Sequence, residues 1–482
     1  MTRLPATLGD VNTTGEQQQI AQNGQGTGSP ASDQSAQAEI EREQAGEQEP
    51  VAATGAGAGR FWGLALSVVV LGALVGASSG LLALFLDVVE RAFMGFVESP
   101  TEPGPLGVAP TRRLISVVIG GVVAAIIWYV LRNKTRRVPS VSKAVDGAWM
   151  PVWQTVVHVL TQIFIVGTGA SIGREVAPRE AGAMIGGVWF KLARRLGLQR
   201  SDRRLLVAAA AGAGFAGIYI SPLTGALFGI EVLLGSVDFV TVAVCLGMSS
   251  VATLVGGSIR GFEAYYAVGH EAFSRWTMLF ALVAGPLAGL LGAGFKRLTT
   301  WAERQQTTGR PILWQLPAVA LMTGLVAIVL PQIMGNGRAL AQTVTNLTVS
   351  NIGAGPAGSG RSLGVLVLLF ATMAVWKVIC TVFTIRAGAS GGTLTPSIAI
   401  GSAMGVILAL VSTLVCPGIP FWQAAVIAAA ATLAASQQAP LMALFMLFEV
   451  CQLPAPALMP LALAVALSTA VSRAVLSKYK AS

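Results

Sequence analysis

The sequence has few charged residues and few of the side chains that usually build metal or disulfide sites. Charged residues make up 11% of the 482 positions, against 54% hydrophobic residues. Histidine occurs twice, at His158 and His270, and the four cysteines stand singly, without CxxC or Cys/His spacing. A disulfide framework and a transition-metal centre are therefore not indicated, and we expect neither a metal nor a cofactor.

Apolar residues dominate the rest of the chain in long runs. A soluble protein of this length cannot bury so much apolar surface, so we predict an all-α integral membrane protein. Several runs are shorter than the ~20 residues that a full span needs, which predicts tilted and partly re-entrant helices among the spans. The apolar windows lie at 61–86, 114–131, 152–168, 205–220, 223–235, 237–258, 277–294, 313–332, 362–383, 397–415, 421–435 and 456–476.

The first 59 residues differ from the rest in composition. They are rich in Gln, Gly, Ala, Ser and Thr, hold two basic residues against eight acids, and contain no apolar run. We predict a disordered tail at 1–59, and neither a signal peptide nor a transit peptide. The remaining chain has a large excess of Lys and Arg in short loops, which is typical of cytosolic loops in a cell-membrane protein. We therefore place the tail and the 132–143 loop in the cytosol and expect no nucleic-acid partner.

Two stretches some 220 residues apart repeat the same ordered pattern. In each copy, 44 residues separate two prolines and nine residues separate the second proline from an acid. Paired Gly/Pro-interrupted segments in two halves of an apolar chain indicate a transporter with its site between repeats, near the bilayer midplane. We predict a first membrane repeat at 60–258 and a second at 259–482. The matching positions are Gly169, Ser171, Pro178, Pro222 and Glu231 in the first, and Gly388, Ser390, Pro396, Pro440 and Glu449 in the second.

Glycines followed by a proline in the first turn of an apolar helix predict an exposed helix N-terminus in each copy. Such an end presents free backbone N–H groups and a partial positive charge, which favours an anion. Because stripping water from a small anion is costly, we expect more than one helix end to converge on it. Partial backbone charges also permit release, so the uncharged segment around Thr393 and Leu394 is the predicted resting place of the anion.

The first copy carries four charges: Arg174, Glu175, Arg179 and Glu180. Ionisable groups at membrane depth are costly and are functional candidates, whereas the alternative is a loop of solvated charges. The matching segment 388–401 has no charge and is too apolar for an ordinary loop, so symmetry favours membrane depth. Glu175 is the predicted gate, because its carboxylate can compete for the anion site and protonation would release it.

These segments resemble the CLC family of chloride channels and chloride/proton antiporters. GREVAPRE at 173–180 is similar to the family's GREGP segment with its gating glutamate, and GGTLTP at 391–396 to its GxFxP segment. AGAGFAGIYISPLTGALFGIE at 211–231 is similar to the family's AAAF-x-APLAGxLFxxEE stretch. The match runs in order from about 60 to 480 and includes Lys377.

The resemblance implies a transport protein rather than an enzyme, with chloride and, in proton-coupled members, protons as its partners in the lipid bilayer. It implies a homodimer with one anion pathway per subunit, built from inverted repeats. Chloride would be coordinated by the backbone N–H groups of Thr393 and Leu394, with Glu175 as the external gate. A tyrosine hydroxyl that also touches the ion would be that of Tyr479, for which an interfacial anchor is the alternative.

Three positions depart from the family pattern. Arg136 stands where the family has an ion-binding serine. GREVAP has one residue more than GREGP, so alignment on the proline places Val176 rather than Glu175 at the gate position. Val232 stands where proton-coupled members often carry a second acid. Channel and exchanger therefore both stay open, as does a carrier for another anion such as fluoride.

A different class of function is an intramembrane serine protease. GASG at 388–391 has the Gly-x-Ser-Gly form of rhomboid-type proteases, and Ser390 would pair with His158 on another span. The first copy has the same Gly-Ala-Ser without the following glycine, which favours a structural turn. A single histidine in an apolar helix is also more often a hydrogen-bonded packing residue.

Overall fold

A computed structural model of the chain describes residues 55–348, 362–414 and 419–478. The predicted tail at 1–59 lies almost entirely outside these residues, and Tyr479 lies outside them. The described residues form sixteen α-helices and no strand. In chain order the helices are α1 (Gly55–Phe93), α2 (Pro110–Lys134), α3 (Val141–Val145), α4 (Val152–Gly167), α5 (Val176–Leu192), α6 (Asp202–Tyr219), α7 (Pro222–Leu227), α8 (Phe239–Arg260), α9 (Arg275–Arg304), α10 (Ile312–Val329), α11 (Arg338–Thr345), α12 (Leu363–Arg386), α13 (Leu394–Ser412), α14 (Phe421–Gln437), α15 (Pro440–Val450) and α16 (Leu458–Lys478).

The apolar windows of the sequence correspond to these helices. Each of the twelve windows coincides with one of them, and α7 continues as a π-helical turn over Phe228–Leu234. Eight of the helices in the described ranges are long and apolar enough to cross a membrane, and α4 and α15 are shorter apolar helices. The prediction of an all-α membrane protein with partly re-entrant helices is therefore confirmed.

The centre of the molecule is built from two helices rich in alanine. Every residue of α14 from Phe421 to Ser436 is buried, and nearly all of α6 is buried too. Small side chains let helix backbones approach closely inside a membrane. A Cβ on Gly214 of α6, for example, would collide with the backbone carbonyl of Pro178 in α5. This packing fixes α6 directly against the first turn of α5.

Two glutamates cross between the repeated segments and cap short helices. The carboxylate of Glu449 accepts hydrogen bonds from the N–H groups of Leu223 and Thr224, both at 2.8 Å, and from the Thr224 hydroxyl at 2.6 Å. Glu231 in turn accepts from the first turn of α15, from the N–H groups of Leu441 and Met442 at 3.3 and 2.9 Å. The acid of each copy thus accepts hydrogen bonds from the N–H groups in the first turn of the short helix that begins at the other copy's proline. These N–H groups have no acceptor within their own helix.

Candidate functional site

The breaks between α4 and α5 and between α12 and α13 lie side by side. Gly169 and Gly388 open the two Gly-Ala-Ser segments with φ of +104° and +114°, a conformation that favours glycine. Gly173 and Gly392 then exchange two backbone hydrogen bonds of 2.8 Å and form an antiparallel bridge. The two copies of the motif therefore meet at one place in the molecule.

Helices α5 and α13 both begin at this bridge. They start at Val176 and Leu394, in each case two residues before the proline of the motif. Glu175 and Thr393 consequently occupy the same N-cap position, and neither side chain caps its own helix. Two helix N-termini therefore converge here, one from each copy of the motif. The first N–H groups of each helix have no hydrogen-bond acceptor within that helix.

The carboxylate of Glu175 lies on the N-terminus of α13. Its Oε1 accepts a hydrogen bond from the N–H of Leu394 at 2.6 Å, and its Oε2 accepts one from the hydroxyl of Thr395 at 3.1 Å. The Glu175 side chain is completely buried. We call these two donors, the Leu394 N–H and the Thr395 hydroxyl, the seat. A negative group thus occupies the place where the partial positive charge of α13 is greatest.

A third hydroxyl group extends this arrangement. The oxygen of Tyr219 lies 3.1 Å from Oγ1 of Thr395, and both side chains are buried. Because an ionised carboxylate only accepts hydrogen bonds, Thr395 donates to Glu175 and Tyr219 donates to Thr395. The sequence did not single out either residue, although both lie inside the segments that resemble the CLC family.

The charged residues of the first copy lie within the protein. Arg174 is completely buried, with its guanidinium 5.7 Å from the ring centre of Tyr219 and 5.3 Å from that of Tyr265. Arg179 donates from Nε to the backbone carbonyl of Glu175 at 2.7 Å. The alternative of a loop of solvated charges is therefore wrong, because Arg174 and Glu175 are both buried within the protein.

Glu98, in the loop after α1, lies next to Arg174, which no pattern in the sequence indicated. Its carboxylate lies 3.3 Å from Nη1 of Arg174 and 3.4 Å from the side-chain nitrogen of Asn336. A cavity of about 200 Å³ adjoins this cluster and is lined by Glu98, Tyr219 and Tyr265 among others. Tyr219 thus lines this cavity and also contacts Thr395 of the seat.

Lys377 places a buried amino group close to the first turn of α13. Its Nζ donates to the carbonyls of Ile333 and Gly335 at 3.1 and 2.7 Å. A Cβ on Gly337 would contact both the Lys377 side chain and the carbonyl of Thr395, which shows how near the two residues lie. A hydrogen-bond donor of the second repeat therefore lies within the protein beside the N-terminus of α13.

Other residues singled out by the sequence lie apart from the seat. Arg136 is exposed, and no hydrogen bond within the described residues joins it to the seat. Val232 is 42% exposed. Val176 is the first residue of α5, and the carboxylate that reaches the seat comes from Glu175 despite the additional residue before the proline.

The residues of the protease hypothesis have other partners. Ser390 accepts a 2.7 Å hydrogen bond from Nη2 of Arg132, whose Nη1 donates to the carbonyl of Gly388 at 2.7 Å. Nδ1 of His158 accepts from the indole of Trp128 at 3.0 Å. No hydrogen bond between Ser390 and His158 occurs within the described part of the chain. Ser390 therefore stabilises a turn, and the protease hypothesis is not supported.

Broken helices that meet inside a bundle of membrane spans define the architecture of a membrane transporter. The model of the voltage gated chloride channel family matches residues 120–473, and the chain belongs to this family. The family consists of transporters, which confirms the prediction that the protein is not an enzyme.

Individual relatives agree with this membership. The chain is 26% identical over 360 residues to the voltage-gated ClC-type chloride channel ClcB of Salmonella typhi, across 71% of this chain and 80% of that protein. The crystal structure of a slow cyanobacterial Cl⁻/H⁺ antiporter has a TM-score of 0.68 at 20% identity, over 85% of this chain and 95% of that chain. A CLC-type fluoride/proton antiporter has a TM-score of 0.62 at 19% identity, with the same coverage. The predicted resemblance and fold are confirmed.

Proposed function

We propose that the protein transports chloride across the membrane and that Glu175 gates its anion pathway. The observation that carries this proposal is the hydrogen bond from the Leu394 N–H to the Glu175 carboxylate. A carboxylate and a halide each carry one negative charge and accept N–H hydrogen bonds, so a site that holds one suits the other. The family and the ClcB relative favour chloride over fluoride as the anion.

The gate follows from the competition between these two anions. Ionised Glu175 fills the seat and blocks it. Protonation removes its charge, so the partial positive charge of α13 no longer favours the side chain over an incoming anion. Chloride then binds to the backbone N–H groups of Thr393 and Leu394. One place in the protein thereby binds a carboxylate or a halide in alternation, which links proton and anion movement.

This gate serves a chloride channel and a chloride/proton antiporter equally well. In a channel, protonation of Glu175 opens a continuous path. In an antiporter, Glu175 carries the proton and the stoichiometry is fixed. A direct measurement of proton counterflow separates the two modes.

The orientation of the protein follows from its basic loops. With the N-terminal tail in the cytosol of the cell, α1 crosses the membrane and the loop containing Glu98 faces outward. Helix α2 returns, and its last turn, with Arg132 and Lys134, lies at the cytosolic side. Glu175 and the cavity beside Glu98 then form the outer part of the pathway.

Two further parts of the proposal concern assembly. The reciprocal caps made by Glu231 and Glu449 support a division into repeats at 60–258 and 259–482, because each acid completes a helix of the other repeat. The resemblance to the CLC family supports a homodimer. Cross-linking in membranes followed by denaturing electrophoresis tests the dimer.

Reconstitution tests the proposed function. Purified protein is placed in liposomes loaded with chloride, and chloride efflux and proton movement are recorded together. We expect chloride efflux above that of protein-free liposomes. Proton counterflow in a constant ratio to chloride indicates an antiporter, and chloride flux without it indicates a channel. No chloride flux from protein that elutes as a folded species would contradict the proposal.

A further inference from the structure

We infer that the hydroxyl of Thr395 is a ligand of the transported anion and that Tyr219 orients it. This inference rests on the proposed function and adds an O–H donor to a site otherwise built from backbone N–H groups. It concerns two side chains that the family motifs, as matched in the sequence, do not mark.

The geometry that carries the inference is the chain of three buried groups. Tyr219 donates to Thr395, and Thr395 donates to Glu175, both at 3.1 Å. Thr395 is fully buried and Tyr219 is 3% exposed. The carboxylate therefore rests on one N–H and one O–H donor, and any anion that replaces it meets the same pair.

Departure of Glu175 leaves the buried hydroxyls of Tyr219 and Thr395 with only each other, so one of their two O–H donors loses its acceptor. Threonines inside helices usually donate to the carbonyl four residues earlier, as Thr384 does to Cys380 at 2.6 Å. Thr395 is the second residue of α13, so the residue four positions earlier, Gly391, lies outside the helix. A buried donor without a partner is costly, and an incoming anion restores the lost hydrogen bond.

An O–H donor also selects among anions. Hydrogen bonds to a charged acceptor are strongest when the charge is concentrated, so the hydroxyl favours chloride over a large, diffuse anion such as thiocyanate. The donation from Tyr219 polarises the Thr395 hydroxyl and strengthens this bond. Tyr219 is thus a positioning residue, and its ring is held 5.3 Å from that of Tyr265.

The first test measures anion binding to protein with a vacated seat. Glu175→Ala removes the competing carboxylate, and isothermal titration with chloride and with thiocyanate gives both affinities. Adding Thr395→Val, which keeps the shape of the side chain but removes the hydroxyl, should weaken chloride binding about tenfold, or ~1.4 kcal/mol. Thiocyanate affinity should change by less than about twofold, and Thr395→Ser should restore chloride binding.

The second test addresses the positioning role. Tyr219→Phe keeps the ring and removes only the hydroxyl, and we expect a loss of about threefold in chloride affinity. The same change should have no further effect when it is combined with Thr395→Val, since Tyr219 acts through that hydroxyl. A purely structural role would weaken both anions alike and would add to the effect of Thr395→Val.

The outcomes separate this inference from the proposed function. If protein with a vacated seat binds chloride, and Thr395→Val leaves affinity and selectivity unchanged, the inference is wrong and chloride transport stands. If folded Glu175→Ala protein binds neither anion, the seat itself is misassigned and both proposals fall. The ratio of chloride to thiocyanate flux in liposomes, with Glu175 intact, gives an independent measure that should fall about fivefold in Thr395→Val.

Discussion

The N–H of Leu394 donates a 2.6 Å hydrogen bond to the carboxylate of Glu175, which lies 219 residues earlier in the chain. Both residues stand at the start of matching helices, so the bond joins the two copies of one repeated motif. The copies differ at this point: one contributes an acidic side chain and the other contributes the donors that hold it. The two copies are therefore alike in backbone arrangement but different in the groups that they bring to the site.

Substitution of Gly392 should displace the gate without changing its chemistry. A Cβ on Gly392 would overlap the Glu175 carboxylate, while the backbone there does not have positive φ. We expect Gly392→Ala to disfavour Glu175 in the seat and to remove at least about half of the pH dependence of chloride flux. Gly364→Ala is the matched control, because no atom lies within 4 Å of its Cβ. An unchanged pH profile in Gly392→Ala would count against this geometry.

The reciprocal caps should contribute to stability in a predictable order. Glu449→Ala leaves two N–H groups and the Thr224 hydroxyl without their acceptor, which we expect to cost about 2 kcal/mol or more. Glu231→Ala should cost less, because it accepts two bonds rather than three, and one of them is 3.3 Å long. Thermal unfolding in detergent measures both, with the exposed Glu303→Ala as control. Equal midpoints for all three variants would show that the caps are unimportant.

The serine of the second Gly-Ala-Ser segment should be dispensable for transport. Its hydroxyl accepts a hydrogen bond from Arg132, so Ser390→Ala should cost about 1 kcal/mol of stability and leave chloride flux within about twofold of the wild type. The same protein should release no fluorescent peptide from a membrane-embedded substrate. Peptide cleavage by the wild type that disappears in Ser390→Ala would revive the protease hypothesis.

The spans were predictable because they depend on local composition. Apolar windows mark each of the eight helices in the described ranges that are long enough to cross a membrane, and all twelve windows coincide with helices. The repeat also predicted which helix N-termini meet, since Gly173 and Gly392 occupy corresponding segments.

The contacts across the site were less predictable, because they join residues far apart in the chain. Tyr219 and Thr395 are 176 residues apart, and Glu98 reaches Arg174 from a loop that has no motif. Four charged residues lie at or close to the start of α5. They make this stretch of the sequence less apolar, so none of the twelve apolar windows covers α5. The sequence also left Val176 as an alternative to Glu175, and only the structure shows that the Glu175 carboxylate reaches the N–H of Leu394.

The most direct test of the account compares wild-type protein with Glu175→Gln in the liposome assay, recording chloride flux from pH 4.5 to pH 7.5. Glutamine keeps the size of the side chain but carries no charge at any of these pH values. We expect wild-type flux to rise as the pH falls, because protonated Glu175 leaves the seat. Glu175→Gln should conduct chloride at every pH with no such rise and without coupled proton movement. A variant that retains the wild-type pH dependence would contradict the assignment of Glu175 as the gate.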